Sequence, residues 1–253
     1  MAWFSSVVAT ALSVLTDPYA PVFCVLGISF LLLSSVLNVR NLLRNASSDF
    51  QPVMVYFASV FGLLFLLPAF VILLTGGAGG VTLWSMGMGL GNWKLGLILA
   101  AVFLPVSLLG LFIGLRDPAL REYYPFSKES MSSPGRFVVY ELCYLVLYYL
   151  PWEFTFRGVV IFSLLALLPH TVPALVVVVM VSTFLSTIFH IGHPNSEVLG
   201  AFVLGVLAGA ATALTGSFLY VLFQHALVGI LNDCVVYSGR MRLQQKQRSE
   251  SFR

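Results

Sequence analysis

Charge is what this chain has least of. Lys and Arg number 13 and Asp and Glu 10 among 253 residues, 9% in all, where soluble domains carry about 25%. That excludes a globular domain riding on a single anchor, and no polar segment is long enough to fold as a separate soluble unit. Cysteine is nearly as scarce. Cys24, Cys143 and Cys234 are odd in number and lie in apolar runs, so they read as small core residues rather than a disulfide framework or metal cluster. The N-terminus has no basic region ahead of its apolar residues and no small-residue cleavage site, so a cleaved secretory signal is not expected. With no basic face and no nucleic-acid motif, nucleic acid is not an expected partner. Gly87, Gly89 and Gly91 follow no strand pattern, and without one they lack the context of a nucleotide-binding loop.

What fills the chain instead is apolar: 59% hydrophobic residues and a mean hydropathy of +0.96. A spanning helix takes about 20 such residues. Runs at 21–39, 52–74, 93–115, 172–190, 197–214 and 217–237 meet that length, and 136–168 is apolar for longer still. The fold class is therefore all-α, a polytopic transmembrane bundle of seven to eight helices in one domain spanning 1–253. Residues 1–16 are short for a span and are expected at the interface or as an extension of the first helix. The segment 75–80 is rich in glycine and reads as a loop, and the polar tail begins at Arg240.

Pro151 makes 136–168 ambiguous, either one kinked helix or two shorter pieces. Basic residues arbitrate, because cytoplasmic loops carry the excess of Lys and Arg. Arg40 and Arg44 put the first loop inside, the glycine-rich second loop outside, and 116–135 inside again. A single crossing by 136–168 then leaves the basic tail 240–253 in the cytoplasm; a double crossing forces it out. Seven crossings are expected, N-terminus out and C-terminus in, with an eighth helix only if one piece is re-entrant.

Ionisable residues at membrane depth are costly and mark functional sites. Glu153 and Arg157 stand four apart inside an aromatic run, on one helix face; spacing alone suits a structural ion pair as readily as a site. His190 ends one span, Glu197 begins the next, and His225 lies in the last, with Asn232 and Asp233 beyond it. At about 100° per residue, Asn232 nearly eclipses His225. Groups this costly in lipid should face inward and meet. Together they suit water activation, with a carboxylate or imidazole taking the proton and a second donor stabilising the oxyanion. A Glu with two His equally suits a zinc site with an open position. Glu141, twelve residues before Glu153, falls about 120° away round the helix and off this face.

These residues resemble the CPBP intramembrane protease family, which includes the CAAX prenyl endopeptidases and the bacteriocin-processing and abortive-infection proteins. Its pattern is Glu-Glu-x-x-x-Arg, Phe-x-x-x-His and His-x-x-x-Asn/Asp on three helices. The resemblance covers roughly 136–237, a motif-bearing core, while the helices of 1–115 carry no motif. It gives Glu153 the second glutamate, Arg157 the arginine, and His190 and His225 the two histidines. Gly205 and Gly209 form a Gly-x-x-x-Gly between the last two motifs, suited to close packing. Trp152 stands in place of the first glutamate, Ser186 in place of Phe, and Gly229 in place of Asn or Asp. Glu197 is the candidate for the missing carboxylate, unless it is a first-turn residue favoured by the helix dipole. Asn232 or Asp233 is the candidate for the missing amide, although position 232 lies about 4.5 Å further along the helix axis than 229.

The resemblance implies an intramembrane endopeptidase acting on a membrane-associated protein or peptide, prenylated or leader-type, in a cavity open to the cytoplasm. Glu153 and His190 would activate water, His225 would polarise the carbonyl, and Arg157 would orient Glu153. Where a divalent metal such as zinc takes part, Glu153, His190 and His225 would hold it. Two other readings stay open. One is a catalytically silent immunity or scaffold protein, to which Trp152 and Gly229 point. The other is a proton-coupled transporter, against which the chain shows no internal repeat.

Overall fold

The computed structural model describes residues 17–36, 49–79 and 81–251. Arg40, Arg44, Arg253 and the segment 1–16 lie outside them. Among the described residues the chain is helical, without a strand. We number the helices α1 (Ala20–Val36), α2 (residues 50–79), α3 (Trp93–Gly114), α4 (Pro118–Tyr123), α5 (Pro134–Leu167), α6 (Val172–Ile188), α7 (Asn195–Thr215) and α8 (Leu219–Ser251). Five stretches are long and apolar enough to cross a membrane, and α1 and α6 are shorter apolar helices. All but the short α4 are therefore apolar, seven among the described residues. With membrane hydrocarbon offering no water to solvate a bare backbone, helix is the conformation that keeps each N–H and C=O paired. The same pressure carries α2 through Gly76 and Gly77 to Gly79, where glycine content alone suggests a loop. It also carries α8 on through the polar residues after Arg240.

The 134–167 segment is one helix of 34 residues. Pro151 has no N–H to give and its ring crowds the preceding carbonyl. The turn Leu145–Tyr149 just ahead widens to π geometry, with the Leu150 N–H reaching back to the Leu145 carbonyl. That absorbs the proline without ending the helix. A second π stretch, Phe154–Val160, follows Glu153 directly. Helix α5 is the buried centre of the bundle, with Tyr140, Phe154, Phe156 and Ile161 fully enclosed. Phe57 of α2 stacks on Tyr144 at 5.0 Å. The Thr155 hydroxyl donates to the Leu64 carbonyl, and Ser182 of α6 donates to the Phe156 carbonyl at 2.7 Å. Gly158 lets the loop before α3 approach: a Cβ there would stand 2.7 Å from the Met86 carbonyl oxygen. Gly205 and Gly209 do the same for α7, which lies close against Thr183 and Val179 of α6.

Hydrogen bonds gather four polar segments at one end of the bundle. The Asp49 carboxylate, before α2, accepts from Ser127 Oγ at 2.7 Å and from the backbone N–H of Lys128 and Glu129 at 2.6 and 3.0 Å. Tyr124 donates to Glu197 at the head of α7 at 2.6 Å, and Ser196 donates to Asp117. Arg240 of α8 donates to the Lys128 carbonyl at 3.1 Å. The start of α2, the 115–133 loop, the α6–α7 turn and the far part of α8 thus share a face. At the other end, the Asn92 N–H donates to the Thr215 carbonyl at 2.7 Å and the Tyr220 hydroxyl to the Leu90 carbonyl at 2.7 Å.

Candidate active site

Between α3, α5, α7 and α8 lies a cavity of about 510 Å³. Glu153, Arg157, His190, Glu197, His225 and Asn232 all line it. The six residues come from four separate segments, so the fold rather than sequence proximity gathers them.

At the centre of α5, Glu153 is almost wholly enclosed. Its Oε1 accepts from His225 Nδ1 of α8 at 2.5 Å, and its Oε2 lies 3.7 Å from Arg157 Nε. A carboxylate can only accept, so His225 Nδ1 carries a proton, which leaves Nε2 as its second polar atom. Arg157 is buried too, and its Nε and Nη1 have no hydrogen-bond partner among the described residues. Gly205 leaves room for the guanidinium, since a Cβ there would stand 3.3 Å from Nη2.

The second cluster forms where α6 turns into α7. His190 Nδ1 donates to the Ser186 carbonyl at 2.9 Å, which leaves Nε2 with its lone pair. That nitrogen lies 4.0 Å from Glu197 Oε1. Glu197 in turn accepts from His193 Nδ1 at 2.8 Å and from the Tyr124 hydroxyl, while its Oε2 has no partner among the described residues. Burial pushes the Tyr124 phenol well above its ordinary value, with the Glu197 charge adding to the shift, so the phenol keeps its proton and remains a donor. Trp152, at the position of the absent first glutamate, sets its ring edge-on to His190 at 5.3 Å.

The remaining sequence candidates fall as follows. The Asn232 amide donates to Asp233 at 3.1 Å, which gives it a partner on its own helix. Glu141 is buried and does not line the cavity. The expected zinc ligands do not fit a metal centre. No group of three His, Cys, Asp or Glu among the described residues is placed to share an ion. The spacing of three donors along the chain says nothing of where their lone pairs converge, which is why the sequence suggests the trio.

Tyr149 and Tyr124 escape a reading by sequence, while His193 reads there as an exposed turn residue. The first two look like core aromatics. His193 precedes Glu197 by four residues, a spacing that pairs side chains across one turn, and that is the signal for it.

A helical bundle of apolar, membrane-length helices, with two carboxylate–histidine pairs lining one cavity, belongs among polytopic membrane proteins. Comparison narrows the class. Residues 134–231 match the family model described as Rce1-like, type II CAAX prenyl endopeptidase Rce1-like. That stretch contains α5 from its first residue, α6, α7 and the part of α8 bearing His225. It carries the CPBP resemblance, and at the level of that family the likeness is to intramembrane proteases. No curated protein and no solved structure matches the chain. The apolar helices and this family together make it an integral membrane protein.

Proposed function

We propose that the protein is an intramembrane endopeptidase in which the Glu197–His190 pair activates water and the Glu153–His225 pair handles the substrate carbonyl. The observation that carries this reading is the 4.0 Å between His190 Nε2 and Glu197 Oε1. A water about 2.8 Å from each atom sees them at an angle of about 90°, near its own H–O–H angle. Both of its protons then have acceptors, and a lone pair is left for attack. The oxygen adds to the scissile carbonyl carbon as His190 takes the proton, and Glu197 steadies the resulting imidazolium. His225, protonated and held at Nδ1 by Glu153, donates from Nε2 to the developing oxyanion. The proton on His190 passes to the departing amide nitrogen, completing hydrolysis. Arg157 holds the Glu153 carboxylate in place.

The cavity walls support a membrane-borne substrate. Leu109 and Ile113 of α3 and Leu199 and Val203 of α7 line the cavity and are also exposed on the outer surface, so apolar side chains flank the site on its lipid side. A lipid-modified peptide suits such a wall, and the endopeptidases that give the family its description act on prenylated CAAX proteins. The basic residues of the 115–133 loop and of α8 support a cytoplasmic placement for the end bearing Glu197.

The test uses purified full-length protein in detergent with a farnesylated peptide ending in Cys-aliphatic-aliphatic-X, its unmodified counterpart, and a leader-type peptide. Wild type cleaves at least one, and Glu153→Gln and His190→Ala each slow that cleavage by about 10²-fold or more. Equal rates for all three proteins would sink the proposal.

A further inference from the structure

Gly229 lies one helical turn after His225 on α8, on the cavity wall. A Cβ built there would overlap the hydroxyl of Tyr149, with the phenol Cζ only 2.7 Å away. The space a side chain at 229 would fill is therefore taken by a phenol from α5. Tyr149 is itself 3% exposed, lines the cavity, and precedes Glu153 by four residues on the same helix. Its ring meets His225 edge-on at 4.8 Å. It lies 4.3 Å from the ring of Tyr144.

We propose that Tyr149 is a catalytic residue whose hydroxyl donates to the substrate oxyanion beside His225, and that glycine at 229 exists to admit it. The assignment rests on the proteolytic reading above and adds its second oxyanion donor. Two donors suit an oxyanion better than one, because the charge on the carbonyl oxygen grows along more than one lone pair. A phenol suits the place because it is a neutral donor on a stiff ring, fixed here between Tyr144 and His225. Asn232, the sequence candidate for this role, has its amide turned to Asp233.

The experiment measures kcat and KM for the farnesylated peptide with wild type, Tyr149→Phe, Tyr149→Ala, Tyr149→Ala/Gly229→Asn and Glu153→Gln, alongside thermal unfolding. Tyr149→Phe keeps the ring, so the unfolding midpoint and KM stay near wild type while kcat falls by about 10²-fold, the usual effect of deleting one oxyanion donor. Tyr149→Ala opens the space beside Gly229, and adding Gly229→Asn to it recovers about a tenfold share of the lost rate by returning a donor to that point. Wild-type kcat in Tyr149→Phe, with Glu153→Gln inactive, overturns the Tyr149 assignment and leaves the protease intact. No cleavage by wild type, or equal cleavage by Glu153→Gln, overturns the proteolytic reading, and the Tyr149 assignment falls with it.

Discussion

Glu197 makes more contacts in the cavity than its position in the chain suggests. Its Oε1 gathers Tyr124, His193 and, at longer range, His190, so one carboxylate orients both the base and the turn that bears it. Glu197→Gln keeps the size and an acceptor but loses the charge that steadies a protonated His190. We expect kcat to fall by about 10²-fold with KM little changed. His193→Ala, which removes only a neighbour of that carboxylate, should cost far less. Steady-state kinetics on the two variants decides, and equal losses would mean that the turn matters only as structure. At this scale Glu153, Arg157, His190 and His225 are legible because charge or imidazole in an apolar run stands out against its cost. Tyr149 is not legible, because a phenol at membrane depth looks the same whether it packs or donates. Only the hydroxyl standing where a side chain at 229 would lie sets it apart.

Helix α5 is the element on which the site depends. Glu153 closes the short α-helical piece between two π stretches, and the direction of its carboxylate follows from how the turns on either side are wound. Gly158 sits within the second stretch, with the Met86 carbonyl against its α-carbon. Gly158→Ala puts a methyl where backbone stands. A carbonyl cannot swing aside as a flexible side chain does, so destabilisation of about 1–3 kcal/mol is expected. A lower unfolding midpoint in detergent would register it, and an unchanged midpoint would show that the 81–92 loop gives way freely. The number and order of the apolar helices are legible in hydropathy, as is the continuity of 134–167 as one helix. The π turns are not, because periodicity over an apolar stretch is blind to one extra residue per turn. The ends of α2 and α8 are misjudged for a related reason: glycine and charge discourage helix in water, whereas here the helix simply runs on.

At the scale of the molecule, one end of the bundle holds nearly all the polar traffic. Asp49, the 115–133 loop, the α6–α7 turn and Arg240 are tied together there. His170, between α5 and α6, lies at the other end. In a variant lacking Cys24, Cys143 and Cys234, single substitutions Glu122→Cys, Arg242→Cys and His170→Cys report sidedness to a membrane-impermeant thiol reagent. The first two should label from the cytoplasmic side and the third from the opposite side. Labelling of Glu122→Cys and Arg242→Cys from different sides would contradict the shared face. Sidedness is only half legible in sequence, because it depends on Arg40 and Arg44, whereas the grouping of the loops rests on hydrogen bonds between distant segments. The cavity wall shared by α3 and α7 has a consequence for kinetics. A reactant that reaches Glu153 past Leu109 and Val203 arrives by diffusion within a plane, while the water it meets comes from the third dimension. Its concentration is then a count per area of membrane, and on the proteolytic reading proposed above, diluting the bilayer with inert lipid starves the site even when the amount in the tube is unchanged.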